Sequence, residues 1–114
     1  MAAGAYDMVC EQGSTFSRTL TVKDSNGDAR DLSSYTGRMH VRRTTGSSTT
    51  IIELTTANGR ISTNSSGEIV LSISATDTAA LTDGGVYDLE IEDSEGNVER
   101  VVEGIFTLDL EVTR

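Results

Sequence analysis

Within Val86-Tyr87-Asp88-Leu89-Glu90-Ile91-Glu92-Asp93, apolar and polar side chains alternate from Tyr87 to Glu92. A period of two puts Tyr87, Leu89 and Ile91 on one face and Asp88, Glu90 and Glu92 on the other, the signature of a half-buried strand. Ser94-Glu95-Gly96-Asn97 then returns the chain into a long strand from Val98 to Val112. There Val102, Phe106, Leu108 and Leu110 share one parity, while Val101 and Ile105 take the other. Arg100 and Gly104 interrupt the pattern, which predicts a bulge or bend near Gly104.

The same period recurs towards the N-terminus. Ile69, Leu71 and Ile73 share a face within Glu68–Ser74, and Ile51-Ile52-Glu53-Leu54 and the stretch from Ile61 read as short strands. Gly37–Arg43 reads as a strand with Met39 and Val41 inward and Arg38, His40 and Arg42 outward. Phe16, Leu20 and Val22 alternate with Thr15, Thr19 and Thr21, and the run stops at Lys23-Asp24-Ser25-Asn26-Gly27-Asp28, where Asn-Gly is a strong hairpin signal. Residues 75–81 alone look helical, with cap candidates in Ser74 and Thr76, and are too short for more than a crossover. Tyr87 and Phe106 are the expected aromatic core, with Cys10 as a small buried side chain. Seven to eight short strands at about ten-residue spacing predict an all-β antiparallel sandwich formed by residues 1–114 as a single domain.

Composition agrees with that class. Sixteen Thr and 13 Ser sit among Val, Ile and Leu rather than beside Pro, of which there is none. β-branched side chains at such positions suit a pleated surface, whereas a disordered stalk would lack the periodicity. Without Pro, free sheet edges must be protected by charge, bulges or a partner chain.

Nine basic residues against 18 acidic give a net charge of -9. An acidic chain lacks the basic footprint that phosphate binding needs, so no nucleic-acid partner is expected. Nothing in it reads as a membrane span or a signal peptide, so a soluble protein made in the cytoplasm is expected. The charge is segregated: residues 1–82 hold 7 basic and 8 acidic side chains, and residues 83–114 hold 2 basic and 10 acidic. Arg38, Arg42 and Arg43 with His40 make a basic strand, and Asp88, Glu90, Glu92 and Glu111 belong to the acidic third that closes at Arg114. Together they are the candidate interface residues, expected to steer copies of the chain against one another.

No catalytic, cofactor or metal site is expected. His40 is the only histidine and is flanked by arginines that disfavour the imidazolium a general base must form. One His and one Cys cannot close a zinc site. Asp24-Ser25-Asn26-Gly27-Asp28 resembles the start of a calcium loop, yet its glycine falls fourth rather than sixth, and a hairpin turn accounts for it. Five scattered aromatic residues make no stacking platform, although Tyr35 or Tyr87 would be the residues to use in a carbohydrate-binding adhesion module.

Glu11-Gln12-Gly13, Phe16–Leu20, the Asp24, Gly27, Asp31-Leu32 turn and Ser34–Arg42 follow one another in order. Gly67-Glu68-Ile69, Thr78–Leu81, Gly85–Glu90, Gly96, Arg100, Gly104 and Glu111–Arg114 complete the series. In that order they resemble the small tailed-phage virion proteins related to the immunoglobulin-like N-terminal domain of phage baseplate upper proteins, over residues 9–114. The resemblance implies an immunoglobulin-like sandwich located in the virion and docked at the tail or baseplate, where it attaches a fibre or receptor-binding protein. It also implies other virion proteins as partners, namely a baseplate hub, a fibre or neighbouring copies, with a homo-oligomer, a trimer foremost, and no small-molecule substrate. Ending without a helical linker or receptor-binding part, the chain is expected to be an adaptor. A head decoration or head-fibre anchor is the alternative position.

Overall fold

The computed structural model describes residues 4–113. Among them nine strands and one short helix run in the order β1 (Gly4–Ala5), β2 (Met8–Glu11), β3 (Phe16–Thr21), β4 (Thr36–Arg42), β5 (Ile52–Thr55), β6 (Ile61–Thr63), β7 (Glu68–Ile73), α1 (Ala75–Ala79), β8 (Gly85–Glu92) and β9 (Val98–Asp109). They form two sheets. The larger has the order β1-β9-β8-β4-β5, with β2 also paired to β9, and the smaller has the order β3-β7-β6. Strands β4 and β8 are neighbours although 42 and 85 bracket three other strands and the helix between them, so the chain crosses between sheets in the Greek-key manner of an immunoglobulin-like sandwich.

The predicted alternation decides which side chains meet. Register partners Val41 and Tyr87, then Met39 and Leu89, lie side by side on the inner face of the large sheet, with Leu54 beyond them opposite Met39. Phe16, Ile69, Leu71 and Ile73 come from the small sheet to face them, and all of these are buried. Phe16 and Phe106 meet across the sandwich with ring centroids 5.7 Å apart and planes tilted by 54°, a favourable aromatic geometry. Neither the inter-sheet disulfide nor the buried tryptophan common in immunoglobulin domains is available, since the chain has one Cys and no Trp. The core is therefore mainly aliphatic around the rings of Phe16, Phe106 and Tyr87. Helix α1 is the crossover expected at 75–81, capped by Ser74, whose Oγ accepts from the Asp77 N–H at 3.2 Å.

Two expectations need correction, and the bulge expected near Gly104 is placed. The sandwich is not wholly antiparallel: β1 and β2 lie parallel to β9, with Gly4 opposite Val102 and Met8 opposite Phe106. They raise the strand count above seven to eight and cover part of an edge that the missing Pro left open. The bulge lies before Gly104, because Leu89 pairs with Val102 while Glu90 pairs with Arg100, leaving Val101 as the extra residue. Gly104 serves a different need. A Cβ there would come within 2.8 Å of the Tyr6 carbonyl carbon, so its hydrogen lets the β1–β2 connection pass close by. Finally, β9 ends at Asp109, and Leu110 and Val112 are exposed beyond it.

The hairpin at residues 23–29 forms as expected, with a change of mechanism. Only Gly27 has positive φ, at +86°, and Asn26 does not. Asp24 accounts for the turn: its carbonyl accepts from Gly27 N–H and its carboxylate from the N–H groups of Asn26 and Asp28. On the β3 edge of the small sheet, Arg18 lies over the Phe16 ring and donates to the Val9 carbonyl at 2.8 Å, bridging β3 to β2 of the other sheet.

Candidate functional site

The outward parity of β4 and β8, read from alternation, becomes a surface once the strands are neighbours. Arg38 faces Glu90, His40 faces Asp88 and Arg42 faces Val86 across the ladder. On the far side of β4, His40 also faces Glu53 of β5. On the far side of β8, Glu90 faces Arg100 and Asp88 faces Glu103 of β9. An open groove of about 460 Å³ runs over this face, from Arg38 and His40 across Asp88 and Glu90 to Arg100 and Ile105.

The charges there are laced together. Arg38 Nε is 3.0 Å from Glu90, and its Nη1 is 3.6 Å from Glu92. Arg100 lies 3.5 Å from both Asp88 and Glu103. These exposed pairs are each worth about 0–1 kcal/mol, so they fix side-chain positions more than they stabilise the fold. Arg42 stands apart. Among the described residues no carboxylate lies within ion-pair distance of it, and its guanidinium donates instead to the Ser47 carbonyl at 3.2 Å and to His40 Nδ1 at 3.1 Å.

His40 has both ring nitrogens engaged. A guanidinium can only donate, so Nδ1 is the acceptor, and Nε2–H then donates to Glu53 at 2.8 Å. In a catalytic relay the nitrogen turned away from the carboxylate must face a nucleophile. Here it faces Arg42.

Beside the groove the same face turns apolar. Ile105 lies opposite Val86, and Val9 lies opposite Thr107. Ile105 and Val9 are about half exposed, at 53% and 49%. Charged groups of both signs thus stand next to exposed aliphatic side chains, and on such a surface charge can set register and apolar area can supply affinity.

The candidate interface residues divide accordingly. Arg38, His40, Arg42, Asp88, Glu90 and Glu92 come together on this face. Arg43 does not: it is paired with Asp83 and lines a second groove with Ser47 and Thr49. Glu111 lies elsewhere too, its N–H donating to Gln12 and its carboxylate beside Gly13. Arg114 falls outside the described residues. The opposed basic and acidic sets, expected to meet between copies, thus meet first within one molecule.

Neither tyrosine offers an open ring to a sugar. Tyr87 is buried, its hydroxyl donating to the Tyr6 carbonyl, and burial pushes its phenol well above the usual range. Tyr35 is half-buried, with the Arg30 guanidinium over its ring and donating to its hydroxyl at 3.2 Å. Burial also pushes the Cys10 thiol up, away from the reactive thiolate.

Sequence reading missed Glu53, Arg100, Glu103 and Ile105. Their alternation carries the signal that they point outward, but their place in the groove depends on strand order. No protein-family model matches the chain, and no curated protein is similar to it. Among solved structures, a chain named Tim-1 is similar over 100% of this chain and 99% of its own, at 16% identity and a TM-score of 0.49.

Proposed function

We propose that this protein is a non-enzymatic structural module of a tailed-phage virion, an adaptor at the tail or baseplate to which a fibre or receptor-binding protein attaches. In this reading it engages its partners through the outer face of β5-β4-β8-β9. The observation that carries the docking role is the pre-ordered mosaic of Arg38, Glu90, Asp88 and Arg100 beside exposed Ile105 and Val9. Ion pairs already positioned within the free molecule lose little side-chain entropy on binding, which favours repeated docking. The virion setting is supported by the ordered motifs from Glu11 to Arg114 that resemble the baseplate-associated proteins. The engagement of both His40 nitrogens supports a role without catalysis.

Arg42 is the natural anchor for a partner's carboxylate, being half-buried and served, among the described residues, by neutral acceptors alone. In an assembly of several copies, a trimer foremost, one such modest contact acts many times over. Immunogold labelling of purified particles is expected to place the protein at the tail or baseplate. Absence from the particles refutes the virion role, and a label on the capsid transfers it to head decoration. Arg42→Glu is expected to abolish capture of the virion partner while the isolated domain keeps its fold. Unchanged capture assigns docking to another face.

A further inference from the structure

The chain contains two Asn-Gly pairs, Asn26-Gly27 and Asn58-Gly59, and the fold treats them differently. The glycines are closely matched. Their φ angles are +86° and +80°, and a Cβ on either would meet nothing within 4 Å. Each N–H makes one turn hydrogen bond, Gly27 to the Asp24 carbonyl at 3.0 Å and Gly59 to the Thr56 carbonyl at 3.2 Å.

The asparagine side chains are not matched. Asn58 Oδ1 accepts from the N–H groups of Thr55 and Arg60 at 3.0 and 3.1 Å, and its Nδ2 donates to the Glu53 carbonyl at 3.0 Å. The side chains of Asn64 and Asn97 are likewise held, the first by Glu68 and Ser66 and the second by Asp93. Asn26 is exposed, and among the described residues its carboxamide makes no hydrogen bond; only its backbone N–H is used, on Asp24.

We propose that Asn26 is a site of spontaneous deamidation in the folded protein and that Asn58 is protected from it. The Gly27 nitrogen, having lost its proton to solvent base, forms a bond to Asn26 Cγ. The Cγ–Nδ2 bond breaks, and that nitrogen takes up a proton and leaves as ammonia. Water then adds to either carbonyl of the succinimide ring, giving aspartate or isoaspartate. No other reactant is needed. Glycine at the attacking position presents no side chain to block the approach. At Asn58 the same rotation must first break three hydrogen bonds, each worth about 1 kcal/mol, which slows the folded-state reaction on the order of 100-fold. The product adds a carboxylate between Asp24 and Asp28 and makes the chain one charge more acidic than -9.

Trypsin separates the two sites, because cleavage after Lys23, Arg30, Arg43 and Arg60 places Asn26 in the peptide 24–30 and Asn58 in 44–60. The native protein is held in mildly alkaline buffer, with a parallel sample in concentrated urea. Both are digested over time and the amide-to-acid mass change is followed in each peptide. The expected result is conversion of 24–30 far ahead of 44–60 in the native sample, with the two rates drawing together in urea. Equal native rates, a faster Asn58, or a native Asn26 that stays intact while both convert in urea each overturn the proposal.

Discussion

Replacing Phe106 by alanine removes the largest fully buried side chain of the core. It sits between Met8 of β2 and Gly85 of β8 in register and meets the Phe16 ring at 5.7 Å. Glycine on one side supplies no side chain to fill the space, so the cavity cannot close by local collapse. Truncations of this kind cost about 3–5 kcal/mol, of which the ring pair accounts for about 0.5–1.5 kcal/mol. For a chain of this length about 4 °C of melting temperature is lost per kcal/mol, so a fall of about 12–20 °C is expected. Urea unfolding of Phe106→Ala, Phe16→Ala and the double variant measures both quantities. The double variant should be less destabilised than the sum of the singles by about 0.5–1.5 kcal/mol. A cost below about 1 kcal/mol for Phe106→Ala, or strict additivity, would refute the packing described for this end of the sandwich.

Gly67→Ala is expected to cost at least about 2 kcal/mol, because φ is +75° and a Cβ would lie 2.6 Å from the Val22 carbonyl oxygen; chemical denaturation checks this, with Gly96→Ala, equally left-handed but in open space, as the milder control. The Tyr87 phenol, raised by burial, gives an alkaline limit: its folded value lies above its unfolded one near 10, so its contribution is complete below about pH 10 and is lost as pH rises further. Denaturation followed through that range should show stability falling in the native protein and a shallower fall in Tyr87→Phe.

Much of this molecule is legible in its alternation. Strands β7 and β8, the inward set Met39, Val41, Leu89 and Ile91, and the short crossover after Ser74 all follow from local pattern, because one buried face dictates parity. Strands β1 and β2 do not. Gly4–Ala5 carries no pattern, and Met8–Glu11 is a strand only because β9 lies beside it. The bulge expected near Gly104 falls at Val101, between the two residues that break the parity, while Gly104 itself marks a close backbone approach, by Tyr6. The site was half legible. Parity placed Arg38, His40, Arg42, Asp88, Glu90 and Glu92 outward, while the pairing of Arg38 with Glu90 and Glu92 rests on the adjacency of β4 and β8, which periodicity does not encode.

The parallel pairing of β2 with β9 also sets an order of events during synthesis. Met8 meets Phe106 and Glu11 meets Asp109, so an earlier segment waits for one made much later. The hairpin-like pairs β4–β5 and β6–β7 need only short loops and are free to form while the chain is still emerging. Until β9 is released, β8 has one naked side, Met8 and Cys10 have no core to enter, and the sandwich stays unsealed. Completion of the domain is thereby coupled to the arrival of β9. A chain stalled before residue 98 keeps an open, Pro-free strand edge that invites aggregation rather than assembly.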